Sequence, residues 1–218
     1  VRLVLAARKP PEIQLAARQA RRELALFDEP ALAFDLEELT RLRPERDERA
    51  IAELLDATGG WPAAIGMTPV LLDAYLEEQL LAGQPAETRA CLQRLALLDV
   101  IEPARCEEVL GMLLPSSVLA HLRRDRLLFP HGVDQFVMHP ALRTMLRRRL
   151  DAELERPARQ ALLRRIGDHY WRLDQSATAL RFWIDAGEAA WAAERLVEVA
   201  EEWLAAGRVE ALANMLEA

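Results

Sequence analysis

Three groups of residues have the type and placement to do chemistry. Arg8 directly follows the apolar run Val1-Arg2-Leu3-Val4-Leu5-Ala6-Ala7. An arginine at the carboxyl end of a parallel strand stands where open sheets bind ligands, and its guanidinium makes charge-assisted bonds to phosphate. The plain alternative is a surface arginine. Gly60-Trp61-Pro62 follows a second glycine, Gly59; it places flat, apolar rings beside a permissive backbone, and it is also ordinary punctuation between two helices. His139, in Met138-His139-Pro140, offers an imidazole to a ligand or caps the helix that Pro140 opens.

The chemistry these residues do not complete is equally informative. No G-x-x-x-x-G-K-[ST] and no other glycine-rich loop before a helix occurs in the 218 residues. No apolar strand ends in paired acids that would hold magnesium. The pairs Glu77-Glu78, Glu107-Glu108 and Glu201-Glu202 read as solvated helix faces, and no nucleophile, base and orienting group fall together. The chain by itself is therefore expected not to be an enzyme and not to hold a nucleotide tightly. Cys91 and Cys106 lie in separate helical patterns without metal-ligand spacing, which predicts buried free thiols and no metal site. A net charge of -7 argues against broad adhesion to nucleic acid. No run approaches the roughly 20 apolar residues of a membrane span, and no signal peptide is evident, so a cytoplasmic location is expected.

The elements that would position these residues are mostly helices. Residues 1–7 read as a buried strand of a parallel sheet, stopped by Lys9-Pro10-Pro11, and a second short strand is expected near Leu24–Phe27. Asp35, three residues before Glu38, predicts a capped helix start. A helix over about Arg46 to Ala57 ends at Gly59-Gly60. Helices over about Glu87–Leu98, Ala104–Leu113 and Ser116–Arg126 are followed by a hairpin, Leu127–Phe129 turning at His131–Asp134 into Gln135–Met138, and by a helix opening at Pro140; this is winged-helix order. From Pro157 onward, four amphipathic segments broken at Asp174-Gln175, Gly187 and Gly207 read as the start of an α-solenoid.

In combination, Leu3-Val4-Leu5-Ala6-Ala7-Arg8, Asp35-Leu36-Glu37-Glu38, Thr58-Gly59-Gly60-Trp61-Pro62-Ala63-Ala64 and Met138-His139-Pro140-Ala141-Leu142 resemble the MalT-like, LuxR-type branch of the STAND signal-transduction ATPases, over essentially the whole chain. The resemblance implies a mainly α chain in four parts. These are the carboxyl-terminal remnant of a P-loop α/β core (1–34), a small helical domain (35–80), a winged helix (81–155) and the start of TPR-like repeats (156–218). It implies that Arg8 senses the terminal phosphate, that Pro62 of a GxP motif packs on adenine beside Gly60 and Trp61, and that His139 touches the diphosphate in the closed state. Ala7 stands where the family usually has Ser, and Pro140 where related switch ATPases have an acid. The expected cofactor is ATP or ADP with magnesium in a longer parent protein that supplies the amino-terminal NTPase core. The parent would be a slow ATPase. An inducer or protein partner is expected at the repeats, self-association on activation, and DNA contact through domains outside this chain.

Two other readings compete. The chain is a non-catalytic helical-repeat scaffold that binds a protein, or its winged helix meets DNA directly through Arg123, Arg124 and Arg126, helped by Arg143, Arg147, Arg148 and Arg149. The bland account of these arginines is that they pair with carboxylates.

Overall fold

The computed structural model describes residues 3–6, 13–27, 29–209 and 215. Leu3–Ala6 and Glu23–Phe27 form no strand, contrary to expectation, and Leu3 and Val4 are 77% and 91% exposed. A strand survives only by pairing its N–H and C=O groups with a neighbour, and no described strand lies alongside either segment. The α/β character expected of residues 1–34 is thus absent where they are described: α1 (Leu15–Ala20) buries nothing, and α2 (Glu29–Leu32) is a single turn.

The fold tightens from Asp35. Asp35 accepts from the Glu38 N–H at 2.8 Å and Glu38 accepts from the Asp35 N–H at 3.1 Å, so α3 (Leu36–Leu42) starts on the reciprocal cap its sequence predicts. Asp47 caps α4 (Glu48–Thr58) through Ala50 N at 2.7 Å, which sets the start after Arg46. Leu39, Ile51 and Ile65 bury one another in a small cluster between these helices and α5 (Pro62–Ile65). Next, α6 (Pro69–Leu76) runs into a wide helical turn over Glu77–Leu81.

The winged-helix order appears next: α7 (Ala86–Leu95), a tight turn over Pro103–Arg105, α8 (Cys106–Leu110), α9 (Ser116–Arg124), β1 (Phe129–Pro130), β2 (Phe136–Val137) and α10 (Pro140–Glu153). Each element is shorter than its hydrophobic pattern, because Leu97, Leu98, Leu114, Leu127 and Leu128 fill the same core from the turns that follow the helices. The strands pair antiparallel, Phe129 with Val137 and Pro130 with Phe136, and Ile101 bridges to Phe136.

Three helices complete the described chain: α11 (Arg156–Arg172), α12 (Ser176–Asp185) and α13 (Ala189–Ala205). The expected fourth segment lies largely outside the described residues. Gly167 allows α12 to come close, since a Cβ there would lie 2.5 Å from Trp183 Nε1, which donates to Asp168 at 3.0 Å. The first pair is not a separate body. Leu163, Ile166 and Phe182 belong to the same buried cluster as Leu95, Leu122 and Met145 of the winged helix. A polar tie reinforces the joint: Asp99, between α7 and α8, accepts from Arg143 at 3.0 Å and Arg147 at 3.2 Å on α10 and from Arg181 on α12 at 2.9 Å.

Candidate functional site

Gly59 and Gly60 end α4 with φ of +60° and +74°, a left-handed turn that glycine makes without strain. The turn swings Trp61 away from α4 and lets Pro62 open α5. The space Gly60 leaves is taken by backbone: a Cβ there would sit 2.2 Å from the Phe34 carbonyl, and Phe34 N–H donates to Gly60 O at 2.8 Å. The close approach this glycine permits is therefore to Phe34. Pro62 is exposed and Trp61 half-buried.

The structure brings this turn to the start of α10. Trp61 meets His139 edge-on, ring centroids 5.6 Å apart at 78°, and Tyr75 packs on Trp61 at 5.8 Å. Gly59 faces Pro140, whose Cγ lies 3.0 Å from the position a Cβ at Gly59 would occupy. His139 caps α10, its Nδ1 accepting from Ala141 N–H at 3.1 Å. The result is a half-buried aromatic edge beside an exposed proline ring and an imidazole. The structure thus brings three of the sequence-predicted residues, Trp61, Pro62 and His139, to the joint between α5 and α10. Arg8, the expected phosphate sensor, lies outside the described residues.

The arginines separate into two sets. Arg143 and Arg147 are held by Asp99, and Arg147 also donates to the Ala96 and Leu97 carbonyls at 2.6 and 2.8 Å. Arg148 pairs with Asp73 at 2.7 Å and Arg149 with Glu77 at 2.5 Å. The pairing account thus describes α10. On α9, Arg124 lies against Asp125 and His121 and Arg123 covers the Phe136 ring at 5.2 Å; Arg126, past the end of the helix, is exposed in a left-handed turn. Arg123, Arg124 and Arg126 together line a surface hollow of about 530 Å³ beside Phe129 and Pro130.

Asp99 and Tyr75 are not singled out by sequence reasoning. The sole signal for Asp99 is a lone acid inside the apolar stretch Leu97-Leu98-Asp99-Val100-Ile101. Burial pushes its carboxyl up, yet the hydrogen bond from Arg181 and the charges of Arg181, Arg143 and Arg147 outweigh that and hold it below the usual carboxylate range. The thiols are free, Cys106 buried and Cys91 partly so; burial pushes Cys106 up to about 12 and Cys91 to about 11. Among the described residues no cluster of His, Cys, Asp or Glu is arranged to hold a metal ion. No helix there is long and apolar enough to cross a membrane.

Comparison with known families decides the central segment. Residues 76–160 match the model of the MalT winged helix domain. This segment is similar to the MalT winged helix domain. It takes in the end of α6, α7 to α10 and the first turn of α11, so His139 belongs to the winged helix domain and Trp61 to the segment before it. Two curated relatives are similar over more of the chain. The HTH-type transcriptional regulator AlkS of Pseudomonas putida is 28% identical over 185 residues, covering 75% of this chain and 21% of the relative. AlkS of Alcanivorax borkumensis is 27% identical over 176 residues, covering 74% and 20%. The chain thus spans about a fifth of the length of the curated relatives it matches. Among solved structures, a STAND protein with a tetratricopeptide repeat sensor from Pyrococcus horikoshii superposes with a TM-score of 0.49 at 16% identity, covering 85% of this chain and 29% of that one.

Proposed function

We propose that this chain is the regulatory part of an ATP- and ADP-switched transcriptional regulator, in which the winged helix domain closes over a nucleotide held mainly by a phosphate-binding core outside the chain. The contact between Trp61 and His139 carries the reading: it joins the winged helix domain to the turn before α5 at the point where a base and a phosphate would both find partners. In the closed state Pro62 and Trp61 would bind the adenine, and His139 would touch the diphosphate of ADP. The bound nucleotide supplies negative charge, and with it a reason for the winged helix domain to stay docked; its loss would free that domain. An inducer or partner protein at the helical repeats would favour the open form, which self-associates. The similarity to HTH-type regulators supports transcription control as the output, with DNA contacted by a domain elsewhere in the protein. Pairing of Arg143, Arg147, Arg148 and Arg149 with their own chain speaks against α10 reading DNA. The chain contributes binding residues and no phosphate-cleaving group, and the assembled protein acts in the cytoplasm.

The test is the nucleotide content of a protein joining this chain to its amino-terminal core, released by denaturation and separated by chromatography. Copurifying ADP is expected. An empty protein, even after incubation with ATP and magnesium, would overturn the switch and leave the interaction-scaffold reading.

A further inference from the structure

The arginines at the end of α9 differ in kind from those of α10. Each α10 arginine pairs with a carboxylate of its own chain, whereas Arg123 and Arg126 form no ion pair with any described residue. Arg124 shares Asp125, so these four residues keep a surplus of two positive charges in a chain whose net charge is -7. Two of the guanidiniums are held in place by contacts that leave donors unused. Arg123 lies over the Phe136 ring at 5.2 Å, a contact that engages none of its N–H groups. Arg124 donates to His121 Nδ1 at 2.6 Å; His121 Nε2 meets Gln84 Oε1 at 2.7 Å, and Gln84 Nε2 donates to Asp125 at 3.2 Å. Asp125 in turn accepts from Arg124 Nε at 3.2 Å, which closes the ring and fixes Arg124 from the side of α9 and of the segment before α7. Arg126 occupies a left-handed turn, φ +55°, that glycine or asparagine makes more easily. All three arginines border the hollow of about 530 Å³, whose remaining lining is apolar and includes Leu128, Phe129 and Pro130.

We infer that this hollow is a docking surface for an acidic segment of another protein chain, one in which apolar side chains lie between carboxylates. A carboxylate meets the guanidinium fork with two parallel hydrogen bonds, and arginines that are already positioned lose little freedom when it arrives. The apolar lining takes up the side chains between the acids, and the charges set orientation and partner choice. Recognition runs through side chains, because β1 pairs only with β2 and Pro130 offers no N–H to a further strand. Duplex DNA fits this surface less well. Proteins that hold a duplex through its phosphates make about 6–10 such contacts from a basic face, whereas the arginines of α10 are engaged and the chain as a whole is acidic. Docking here is independent of nucleotide, since no residue of the hollow belongs to the contact between Trp61 and His139.

The experiment is fluorescence anisotropy of this chain with labelled probes: a short peptide carrying a Leu-Phe pair between Asp-Glu pairs, its counterpart with Asn-Gln in place of the acids, and a short DNA duplex. The acidic peptide is expected to bind, and its affinity to fall at least tenfold both in the Asn-Gln counterpart and with Arg123→Ala/Arg126→Asn. Asparagine suits the left-handed turn at position 126, so this variant removes two charges and keeps the fold. Arg46→Ala, which removes an exposed arginine from another segment, is expected to bind as the parent does. No binding of the acidic peptide, binding that survives Arg123→Ala/Arg126→Asn, or an equal loss with Arg46→Ala would each overturn the inference. So would tighter binding of the duplex than of the peptide, which would make the hollow a nucleic-acid surface instead. None of these outcomes bears on ADP retention, so failure here is distinguishable from failure of the switch.

Discussion

Trp61 and His139 meet edge to face at 5.6 Å, the first from the turn that ends α4 and the second from the cap of α10. One residue therefore does two things: His139 holds the amino end of α10 through Nδ1 and packs against Trp61. The two roles separate by substitution. His139→Ala removes the cap and the ring contact and is expected to lower unfolding free energy by about 1 kcal/mol in urea titration. His139→Asn keeps a cap acceptor and is expected to recover most of that loss. Equal destabilisation by both would contradict the capping role.

Gly60 faces the Phe34 carbonyl with φ of +74°. Gly60→Ala places a methyl against backbone that cannot yield cheaply, and the expected cost is about 2 kcal/mol or more, read as a lower midpoint in thermal or urea unfolding. A neutral substitution would mean that the chain between Phe34 and Asp35 is not held as described.

Asp99 ties α10 to α12. Its folded pKa lies below the unfolded value near 4, so the stability it contributes is complete above that value and is lost as pH falls through the lower folded pKa. Asp99→Asn is expected to cost about 1 kcal/mol at neutral pH, after allowance for its partial exposure, and to flatten the acid limb of the stability profile. Urea midpoints measured between neutral pH and pH 3 check both statements; parallel profiles for parent and variant would contradict them.

How far these relationships could be read from sequence depended on their range. The capping box at Asp35, the stop at Gly59-Gly60 and the winged-helix order are local patterns, and all are legible. The Trp61 and His139 motifs were legible as separate signals, but their meeting is a product of tertiary packing. Asp99 carries no local signal of its role, because its three arginines come from two later helices. The strands expected over residues 1–7 and near Leu24–Phe27 rest on short apolar runs alone. Such runs specify a strand only where a neighbouring edge exists to pair with.

The arginines of α10 are engaged with Asp73, Glu77 and Asp99, and Arg123 lies on Phe136. Duplex DNA is accordingly expected to show no retardation by this chain in a low-salt gel shift. Salt-sensitive binding that disappears in Arg123→Ala/Arg124→Ala would instead establish the winged helix domain as a DNA-contacting surface.

In the proposed switch His139 links the winged helix domain to a bound nucleotide. The most direct measurement is the rate of ADP loss from the protein that joins this chain to its phosphate-binding core, comparing the parent with His139→Ala and His139→Asn. Both variants are expected to release ADP at least tenfold faster, although His139→Asn keeps the cap of α10. Release at the parent rate in His139→Asn would contradict the claim and reduce His139 to a helix cap packed against Trp61.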